Sequence, residues 1–444
     1  MKAIVVGAGL AGSSAAFTLA RAGFQVKIIE STGQIGGRAS TVSKNGYLID
    51  TGCSATTSAY TSYMALAHEA GVGDLIVPAS PCVGIVRGNK VFEIDTRHMV
   101  RDGLFGGFLS LGAKLGLIRL VRDVAVAKSK GMLDFSDMSK AAPIDNESVA
   151  DYAQREFSAE INDHFFDPLV RPMLLANSHL VSKVEFFSLL ANYLDAEMSS
   201  MRGGQQSFAQ LLAKDVAIEL NSPVSAVRRD AEGVAVSWSG PAGDITERAD
   251  ACVVACHLDN AVDICAEYRS LLQPLRDSMR YTRAISVAIG SPVRVPGQSF
   301  VVFLPYCEEP HMATLFLEHN KCDDRAPAGH SLFTAYLEAE ASEASWGKSD
   351  DDIVAQALDY LCRLYPMLRG QVDMAHVKRW EKALPLMKVG GYSEVARLHA
   401  SIDPAARIQF AGDYLSGAGQ NTAVDYGVKA AKNLIAHHRV HQRS

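Results

Sequence analysis

Residues 2–30, KAIVVGAGLAGSSAAFTLARAGFQVKIIE, contain the pattern that decides the fold. The stretch begins with an apolar, β-branched run that predicts a buried strand. A glycine turn, GAGLAG, follows at residues 7–12, and the small-residue pattern after it predicts a helix over residues 13–22. The run QVKIIE at residues 25–30 predicts a second strand that ends on an acid. This order, with the acid roughly 20 residues after the turn, predicts a βαβ unit that binds a dinucleotide.

Each glycine of this turn has a separate physical task in such a unit. Gly7 permits the tight turn, Gly9 lets the backbone approach a pyrophosphate, and Gly12 lets the helix lie close to the strand. The amino end of the helix then faces the anion. Glu30 can accept hydrogen bonds from ribose hydroxyls, and its charge disfavours a 2′-phosphate.

The residues after the acid favour FAD over NAD. The segment QIGGR at residues 34–38 gives the chain freedom to fold back under the βαβ unit, and Arg38 offers a fork of donors to phosphate oxygens. The segment YLIDTG at residues 47–52 predicts another strand that runs into a glycine turn.

Together, GAGLAG, Glu30, IGGRAST and LIDTG resemble the start of the flavin amine oxidase, protoporphyrinogen oxidase and carotenoid desaturase superfamily. The resemblance covers nearly the whole chain. Residues 148–191 are similar to the helical substrate domain, residues 380–391 to the Trp-and-Pro segment beside the flavin, and residues 410–428 to the closing FAD segment. It implies an FAD-dependent oxidoreductase. The residues that it implies at the cofactor are Gly7, Gly9, Leu10, Ala11, Gly12, Glu30, Gly36, Gly37, Arg38, Thr51, Gly52, Val224, Gly412, Asp413, Ala423 and Val424.

The expected fold class is α/β, with a Rossmann-like FAD-binding domain interleaved with an α+β substrate domain made of a mixed sheet and helices. The FAD-binding parts are expected at residues 1–75, 203–265 and 385–444. The substrate parts are expected at residues 76–202, which are mainly helical, and 266–384, which form the sheet.

The sequence departs from the amine-oxidising branch in two places. That branch commonly carries a Lys near the flavin on a strand that corresponds to residues 284–290, where this chain has none. It also places two aromatic side chains face to face, and although Trp380 or Tyr392 could form one wall, the second would fall near Ala423. These departures favour the protoporphyrinogen oxidase-like branch. Lys388 is a further candidate beside the flavin, but no catalytic residue is assigned.

Composition limits the remaining possibilities. The chain has 444 residues, 48% of them hydrophobic, and a net charge of −6 without long runs of one sign, which disfavours nucleic acid as a partner. The eight cysteines include no Cys-x-x-Cys pair, so no metal site is predicted, and a reducing cytoplasm is expected. No cysteine follows Cys362. The cysteine that attaches flavin covalently in some relatives is therefore missing, and non-covalent FAD is expected.

Residues 103–126 form the most apolar long stretch of the chain. They fall short of the roughly 18 uninterrupted apolar residues of a spanning helix. We expect a mostly buried helix of the substrate domain, and the alternative is a helix that contacts a membrane surface.

The predicted reaction is removal of a hydride from a CH–NH or CH–CH unit of a bulky, largely apolar small molecule. Reoxidation of the flavin by O2, or by another electron acceptor, would follow and give H2O2 in the case of O2. Three alternatives remain: a protoporphyrinogen oxidase or related desaturase, a redox-neutral isomerase or cyclase, and a binding or scaffold protein that holds FAD without turnover. A monomer or homodimer is expected.

Overall fold

The computed structural model describes residues 1–98, 109–193, 196–241 and 243–441. Two main sheets, one parallel and one mostly antiparallel, are each covered by helices, and this confirms the predicted α/β class with an interleaved α+β part. The boundaries of the predicted domain segments stay a prediction.

The parallel sheet is built from segments that lie far apart in the chain. Its order is β10 (Ala217–Glu219), β2 (Gln25–Ile29), β1 (Lys2–Val6), β14 (Ala251–Val254) and β22 (Ile408–Phe410). All four strand pairs are parallel. Strand β14 is buried along its whole length, as expected for a parallel strand covered on both faces. The carboxyl ends of these strands therefore share one edge.

The second large sheet has seven strands and faces the substrate side. Its order is β20 (Met374–Trp380), β16 (Ala284–Ser291), β19 (Ser331–Leu337), β18 (Met312–Leu317), β17 (Val301–Phe303), β7 (Cys82–Arg87) and β8 (Lys90–Asp95). Its pairs are antiparallel except for β17 with β7.

Smaller sheets connect these layers. They are β11 (Val224–Arg229), β12 (Val234–Gly240) and β13 (Gly243–Ala249); β15 (Met279–Tyr281) with β21 (Pro385–Met387); β3 (Thr41–Lys44) with β4 (Tyr47–Asp50); and β5 (Thr56–Thr57), β9 (Met198–Met201) and β6 (Ile76–Pro78).

Fifteen α-helices are assigned within the described ranges. They are α1 (Leu10–Arg21), α2 (Thr61–Glu69), α3 (Leu111–Ser129), α4 (Val149–Glu156), α5 (Ala159–Ile161), α6 (Asp167–Leu174), α7 (Lys183–Tyr193), α8 (Gln206–Ala213), α9 (Leu258–Ile264), α10 (Arg269–Asp277), α11 (Glu318–Lys321), α12 (Ala339–Ser345), α13 (Asp350–Leu364), α14 (Tyr392–Ser401) and α15 (Gln420–His441).

Helices α1 and α15 pack closely against each other over the parallel sheet. A side chain at Gly427 of α15 would place its Cβ 2.2 Å from the carbonyl oxygen of Ala11, so only glycine permits this approach. The core here includes Ala15, Leu19 and Leu434. The packing fixes the amino ends of both helices at the same edge of the sheet.

Helix α3 differs from its prediction. Its inner side packs into the core through Leu120 and Val124, but the large apolar side chains of its outer side lie in solvent. We call these residues the α3 outer face: Leu111 (75% exposed), Leu115 (60%), Ile118 (67%), Val121 (65%) and Val126 (48%). The expectation of a mostly buried helix was therefore wrong for the described part, and residues 103–108 lie outside the described ranges. Within the described ranges, none of the helices combines the length and the apolar composition of a membrane-spanning segment.

Candidate active site

A cavity of about 1460 Å³ runs from the parallel sheet to the seven-stranded sheet. Its first end, the cofactor half, is lined mainly by glycines and charged groups: Gly7, Gly9, Leu10, Ala11, Glu30, Gly36, Gly37, Arg38, His257, Asn260, Lys382, Gly412 and Asp413. Its other end, the substrate half, is lined mainly by apolar side chains: Val83, Ile85, Ile94, Leu109, Leu117, Ile118, Val121, Phe165, Leu169, Met173, Leu189, Leu190, Phe300, Val301 and Phe303. The two halves meet at the junction: Gly52, Cys53, Tyr336, Trp380, Gln420 and Ala423.

The cofactor half lies at the carboxyl ends of the parallel strands. Gly7 follows β1, Glu30 follows β2, His257 follows β14, and Gly412 follows β22. Ligands of open parallel sheets bind at this edge, because the loops that leave the strands there form a crevice. The position matches the one that the sequence predicted for a dinucleotide.

The glycine turn has the close packing that its sequence predicts. A Cβ on Gly12 would lie 1.9 Å from the carbonyl oxygen of Gly7, so helix and strand can approach only with glycine there. Gly12 therefore acts through packing and does not line the cavity, whereas Gly7, Gly9, Leu10 and Ala11 do. Helix α1 begins at Leu10 and presents its amino end to the cavity, which favours an anion.

Glu30 is buried at the end of β2, and its two carboxylate oxygens differ in their partners. Oε1 accepts hydrogen bonds from the backbone N–H and hydroxyl of Thr32, each at 2.8 Å, and from the hydroxyl of Ser31 at 3.2 Å. Oε2 accepts one bond, from the N–H of Ala8 at 2.7 Å. A carboxylate oxygen has about two acceptor positions. Oε2 therefore keeps an acceptor position that the described residues do not use, while the contact of Glu30 with a ribose stays a prediction.

Arg38 holds Asp413 in a bidentate ion pair. Its two terminal nitrogens each lie 2.8 Å from an Asp413 oxygen, and Nη1 also donates to the carbonyl of Ala383 at 2.9 Å. Burial lowers the pKa of the guanidinium, but the Asp413 carboxylate outweighs burial and raises the pKa overall. These bonds use three of the five guanidinium N–H donors, so the Nε–H and one Nη2–H are not used by them, and the contact of Arg38 with phosphate oxygens stays a prediction. The pair still lines the cavity where a pyrophosphate is expected.

The turn at residues 50–54 separates the cofactor half from the substrate half, and side chains from the seven-stranded sheet fix its carbonyls. The carbonyl of Thr51 accepts from Ser286 Oγ and from Trp380 Nε1, both at 2.8 Å. The carbonyl of Gly52 accepts from Tyr336 Oη at 2.7 Å. Gly52 itself leaves no room for a side chain, since its Cβ would lie 1.9 Å from the Arg38 carbonyl.

A buried ion cluster supports this turn from behind. Asp50 lies 3.1 Å from Lys321 Nζ and 3.2 Å from Arg325 Nη2, and all three side chains are fully buried. Burial would raise the pKa of Asp50, but Lys321 and Arg325 hold it below its ordinary value. Lys321 also donates to the carbonyl of Ser54 at 2.7 Å. The backbone of the turn is thus fixed on both sides before any ligand binds.

The amino end of α15 closes the junction. Gln420 donates through Nε2 to the carbonyl of Ala55 at 2.7 Å, while its buried Oε1 has no hydrogen-bond partner among the described residues. A buried amide oxygen without a partner costs about 1–3 kcal/mol, so a ligand with an N–H or O–H donor is favoured here. The helix start adds a positive partial charge next to Ala423.

The three candidate side chains beside the flavin have different positions. Trp380 lies on the cavity wall at the junction. Lys388 is exposed outside the cavity and donates to the carbonyl of Asp277 at 2.6 Å. Tyr392 is fully buried outside the cavity, where its hydroxyl bonds to Glu185. Lys388 and Tyr392 were therefore wrong candidates, because the residue after β21 and the first residue of α14 turn their side chains away from the cavity.

Three of the implied cofactor residues also lie off the cavity wall. Thr51 is buried and contributes its carbonyl to the turn at residues 50–54. Val424 is a core residue between α15 and the parallel sheet. Val224 belongs to the three-stranded sheet and packs against a separate core cluster. The remaining implied residues line the cavity, apart from Gly12, which acts by packing.

Several cavity residues were missed by the sequence analysis. His257 and Asn260 follow β14, and their position after a parallel strand was the signal that could have found them. Burial lowers the pKa of His257 to about 4, and Arg38 adds to this shift, so its imidazole is neutral at pH 7. Tyr336 and Phe316 point from the seven-stranded sheet into the cavity, and no local pattern marks them.

The substrate half offers little polar chemistry. Among the described residues, three charged side chains outside the cofactor half line the cavity: Lys114 of α3, and Lys378 and Glu381, which lie close to Trp380 in the chain. On the central strand β16, Ala284 lines the cavity and the next residue on that face is Ser286, which bonds to the turn at residues 50–54. No lysine occurs on β16, as the sequence indicated.

Comparison with known proteins is consistent with this geometry. A sequence model described as "Flavin containing amine oxidoreductase" matches residues 10–435. Coproporphyrinogen III oxidase of Bacillus subtilis (strain 168) is 21% identical over 98% of both chains. Protoporphyrinogen oxidase 2, chloroplastic/mitochondrial, of Arabidopsis thaliana is 23% identical over 98% of this chain and 93% of its own. The structure of cyclohexylamine oxidase from Brevibacterium oxydans IH-35A superimposes with a TM-score of 0.77 at 19% identity, covering 100% of this chain and 99% of that one.

Proposed function

The chain belongs to the flavin-containing amine oxidoreductase family, and we propose that it uses non-covalently bound FAD to remove a hydride from a bulky, largely apolar small molecule. The hydride leaves a carbon of a CH–NH or CH–CH unit, and a proton leaves the neighbouring N–H or C–H, which gives a C=N or C=C bond. O2 takes up the two electrons and two protons and becomes H2O2.

The residues present fit FAD. In the cofactor half, the amino end of α1 and the glycine turn offer an anion site, Glu30 Oε2 offers an acceptor for a ribose hydroxyl, and the Arg38–Asp413 pair lines the middle. At the junction, Oε1 of Gln420 has no hydrogen-bond partner among the described residues and can accept a hydrogen bond from a bound ligand. When bound, FAD supplies the two-electron acceptor for the hydride. The chain's own contribution is to hold that acceptor against the substrate half.

Non-covalent binding is supported by the two cysteines on the cavity wall. Burial raises the pKa of Cys53 to about 12 and that of Cys256 to about 12. A thiol with such a pKa carries almost no thiolate at pH 7, and the thiolate is the nucleophile of cysteine. Neither side chain is therefore prepared to form a bond to a flavin. The same eight free cysteines are consistent with the reducing cytoplasm in which we place the reaction.

The observation that carries the proposed substrate class is the lining of the substrate half. It binds by shape and apolar contact, since hydrophobic side chains from the seven-stranded sheet, α3, α6 and α7 form its wall. Trp380 and Tyr336 form part of the cavity wall at the junction, where they orient the reacting carbon of the substrate. Apart from Lys114, Lys378 and Glu381, the described side chains that line the cavity beyond the cofactor half and the junction are mostly apolar, so this wall acts mainly by excluding water and orienting the substrate.

Oxidation of a porphyrinogen or a related C–C desaturation is the second candidate. It is favoured by the lack of a lysine on β16, the strand on which the amine-oxidising branch commonly has one, and by the full-length likeness to two porphyrinogen oxidases. The second candidate restricts the substrate to a porphyrinogen or to a CH–CH unit, whereas the first also includes a CH–NH unit. A redox-neutral isomerase or cyclase is the third outcome that the experiment below separates.

The test is a visible spectrum of the purified protein, followed by anaerobic titration with amines and with porphyrinogens. We expect flavin bands that become soluble on acid precipitation, and bleaching by one substrate class with H2O2 formed on admission of air. Lys388→Ala, outside the cavity, is the control and should behave like the unmodified chain. Bleaching by a porphyrinogen alone would establish the second candidate, and product formation without O2 uptake the third. A protein that cannot be loaded with FAD would overturn the proposal.

A further inference from the structure

His257 lies on the wall of the cofactor half without a polar partner for its side chain. It lies between β14 and α9, at the same edge of the parallel sheet as Gly7, Glu30 and Gly412. Among the described residues, neither ring nitrogen of His257 makes a hydrogen bond. A neutral imidazole has one donor and one acceptor, and a charged one has two donors. This hydrogen-bonding capacity is therefore available to a ligand in the cavity.

Tyr281 of β15 fixes the position of this imidazole. The two rings meet edge to face, with 4.9 Å between their centroids. The Tyr281 hydroxyl also accepts a hydrogen bond from the backbone N–H of Leu258 at 3.0 Å, and Leu258 belongs to a core cluster. Because the ring and the backbone beside it are already held, the imidazole loses little conformational freedom when it binds a ligand.

The charged side chains of the cofactor half already compensate one another. Those that line it in the described chain are Glu30, Arg38, Lys382 and Asp413, two acids and two bases. Arg38 is paired with Asp413, and Lys382 Nζ lies 3.0 Å from a carboxylate oxygen of Asp259. Each phosphate of FAD adds a negative charge, and a buried charge is stable only when it is paired or hydrogen-bonded. The amino end of α1 supplies only about half an elementary charge.

His257 can supply the missing positive charge, because imidazole is the side chain that changes its charge near neutral pH. In the protein without ligand, burial lowers the pKa of His257 to about 4, and Arg38 and Lys382 add to this shift. The carboxylates of Asp413 and Asp259 act in the opposite direction. A phosphate at this wall joins these carboxylates, since an opposite charge within about 4–6 Å favours the charged form.

We propose that His257 takes up a proton from water when FAD binds and, as an imidazolium, donates a hydrogen bond to a phosphate oxygen of the cofactor. His257 is then a cofactor-binding residue, and Tyr281 is the residue that positions it. The inference rests on the non-covalent FAD of the proposed function and adds a pH dependence to its affinity. Since the proton is bound in the complex and not in the free chain, the affinity falls by up to about 10-fold per pH unit as the pH rises from the pKa of the free imidazole to that of the bound one.

The test is calorimetric titration of FAD into the full chain, freed of flavin, in buffers that differ in their enthalpy of ionisation. We expect uptake of about one proton per FAD at about pH 6 and almost none at about pH 8.5. His257→Gln keeps an N–H donor but cannot become charged. It should bind FAD without proton uptake, about 10-fold more weakly than the unmodified chain at about pH 6 and equally well at about pH 8.5.

The matched control is His68→Gln, at an exposed position of α2 outside the cavity, which should leave both the affinity and the proton uptake unchanged. The Tm of each variant reports whether it is folded. A second measurement uses nuclear magnetic resonance of histidine labelled with ¹³C in the ring. The resonance that disappears in His257→Gln should report a neutral ring in the free chain and an imidazolium in the FAD-loaded chain at about pH 6.

The outcomes separate this inference from the proposed function. If the unmodified chain binds FAD without taking up a proton, the inference is wrong and the proposed function stands. The same holds if His257→Gln takes up as many protons as the unmodified chain, because another group then titrates. If the unmodified chain does not bind FAD at all, both proposals are overturned.

Discussion

The two halves of the cavity are built on different principles. In the cofactor half and the turn at residues 50–54, backbone atoms approach one another so closely that a Cβ at Gly12 or Gly52 would overlap a carbonyl oxygen. The polar groups there are already paired, as Arg38 with Asp413. The substrate half has neither feature, since apolar side chains form its wall. The chain thus specifies the cofactor by fixed geometry and the substrate by shape, and shape tolerates change better.

The largest expected effect comes from breaking the fixed geometry at the turn. Gly52→Ala should weaken FAD retention roughly 100-fold, or about 3 kcal/mol, because the new Cβ would lie 1.9 Å from the Arg38 carbonyl and 3.3 Å from Trp380. The flavin-to-protein ratio after dialysis measures it. Gly347→Ala is the control, since nothing lies within 4 Å of its Cβ. Full FAD content in Gly52→Ala would show that the turn is not rigid.

The next effect concerns the paired charges of the cofactor half. Arg38→Met should lower the free energy of unfolding by about 3–5 kcal/mol, because it leaves the buried Asp413 carboxylate without its partner. Chemical denaturation measures this. Arg38→Met combined with Asp413→Asn should cost less than the sum of the single changes.

The exposed pair between Arg248 and Glu232 is the control for that cycle. Its side chains are 66% and 80% exposed, so Arg248→Met should change stability by no more than about 0.5 kcal/mol. If the stability losses of Arg38→Met and Asp413→Asn simply add up in the double variant, the two side chains are not coupled.

A pH effect is expected behind the junction, where Glu185 bonds to Tyr392 near Gly417. Burial raises the pKa of Glu185 to about 7, although the Tyr392 hydroxyl acts in the opposite direction. The unfolded chain releases this proton near pH 4.5 and the native chain only near pH 7. The contribution of Glu185 to stability therefore falls as pH rises between these values, by up to roughly 3 kcal/mol.

Glu185→Gln should remove this fall, so that the variant gains stability relative to the unmodified chain at pH 8 but not at pH 4. Denaturation midpoints across this range provide the measurement. Glu232→Gln, at an exposed site, should leave the pH profile unchanged. An unaltered profile in Glu185→Gln would show that this carboxyl is ionised in the native state at pH 5.

The smallest effect tests a single hydrogen bond between the sheet and the turn. Tyr336→Phe removes the donor to the Gly52 carbonyl and should cost about 1 kcal/mol of stability, with a small shift of the flavin bands. Tyr360→Phe is the matched control, since the buried Tyr360 hydroxyl has no partner among the described residues and its loss should be neutral. Equal costs for both variants would mean that the hydroxyl of Tyr336 does not fix the turn.

Much of the fold and of the cofactor half was predictable, because both are encoded locally. The glycine turn, α1 and the acid at Glu30 lie in one short stretch whose periodicity and turn residues fix its backbone. The wrong predictions concern the direction in which side chains point. Lys388 lies in the predicted segment and Tyr392 directly follows it, but only the packing of β21 and α14 determines which way these side chains point. The prediction that α3 is mostly buried was wrong for a related reason. An apolar sequence does not by itself show whether another part of the chain covers the helix.

The sequence by itself determined the parallel βαβ start, the glycine turn and acid that are typical of a dinucleotide site, and the membership of the flavin-containing amine oxidoreductase family. The tertiary structure alone decided which distant residues meet. Asp413 meets Arg38 across 375 residues, Trp380 meets Thr51 across 329, and Tyr336 meets Gly52 across 284. The physical reason is the distance along the chain over which each kind of interaction acts. Turn and helix signals act between residues a few positions apart, whereas these contacts arise when two sheets pack around one cavity.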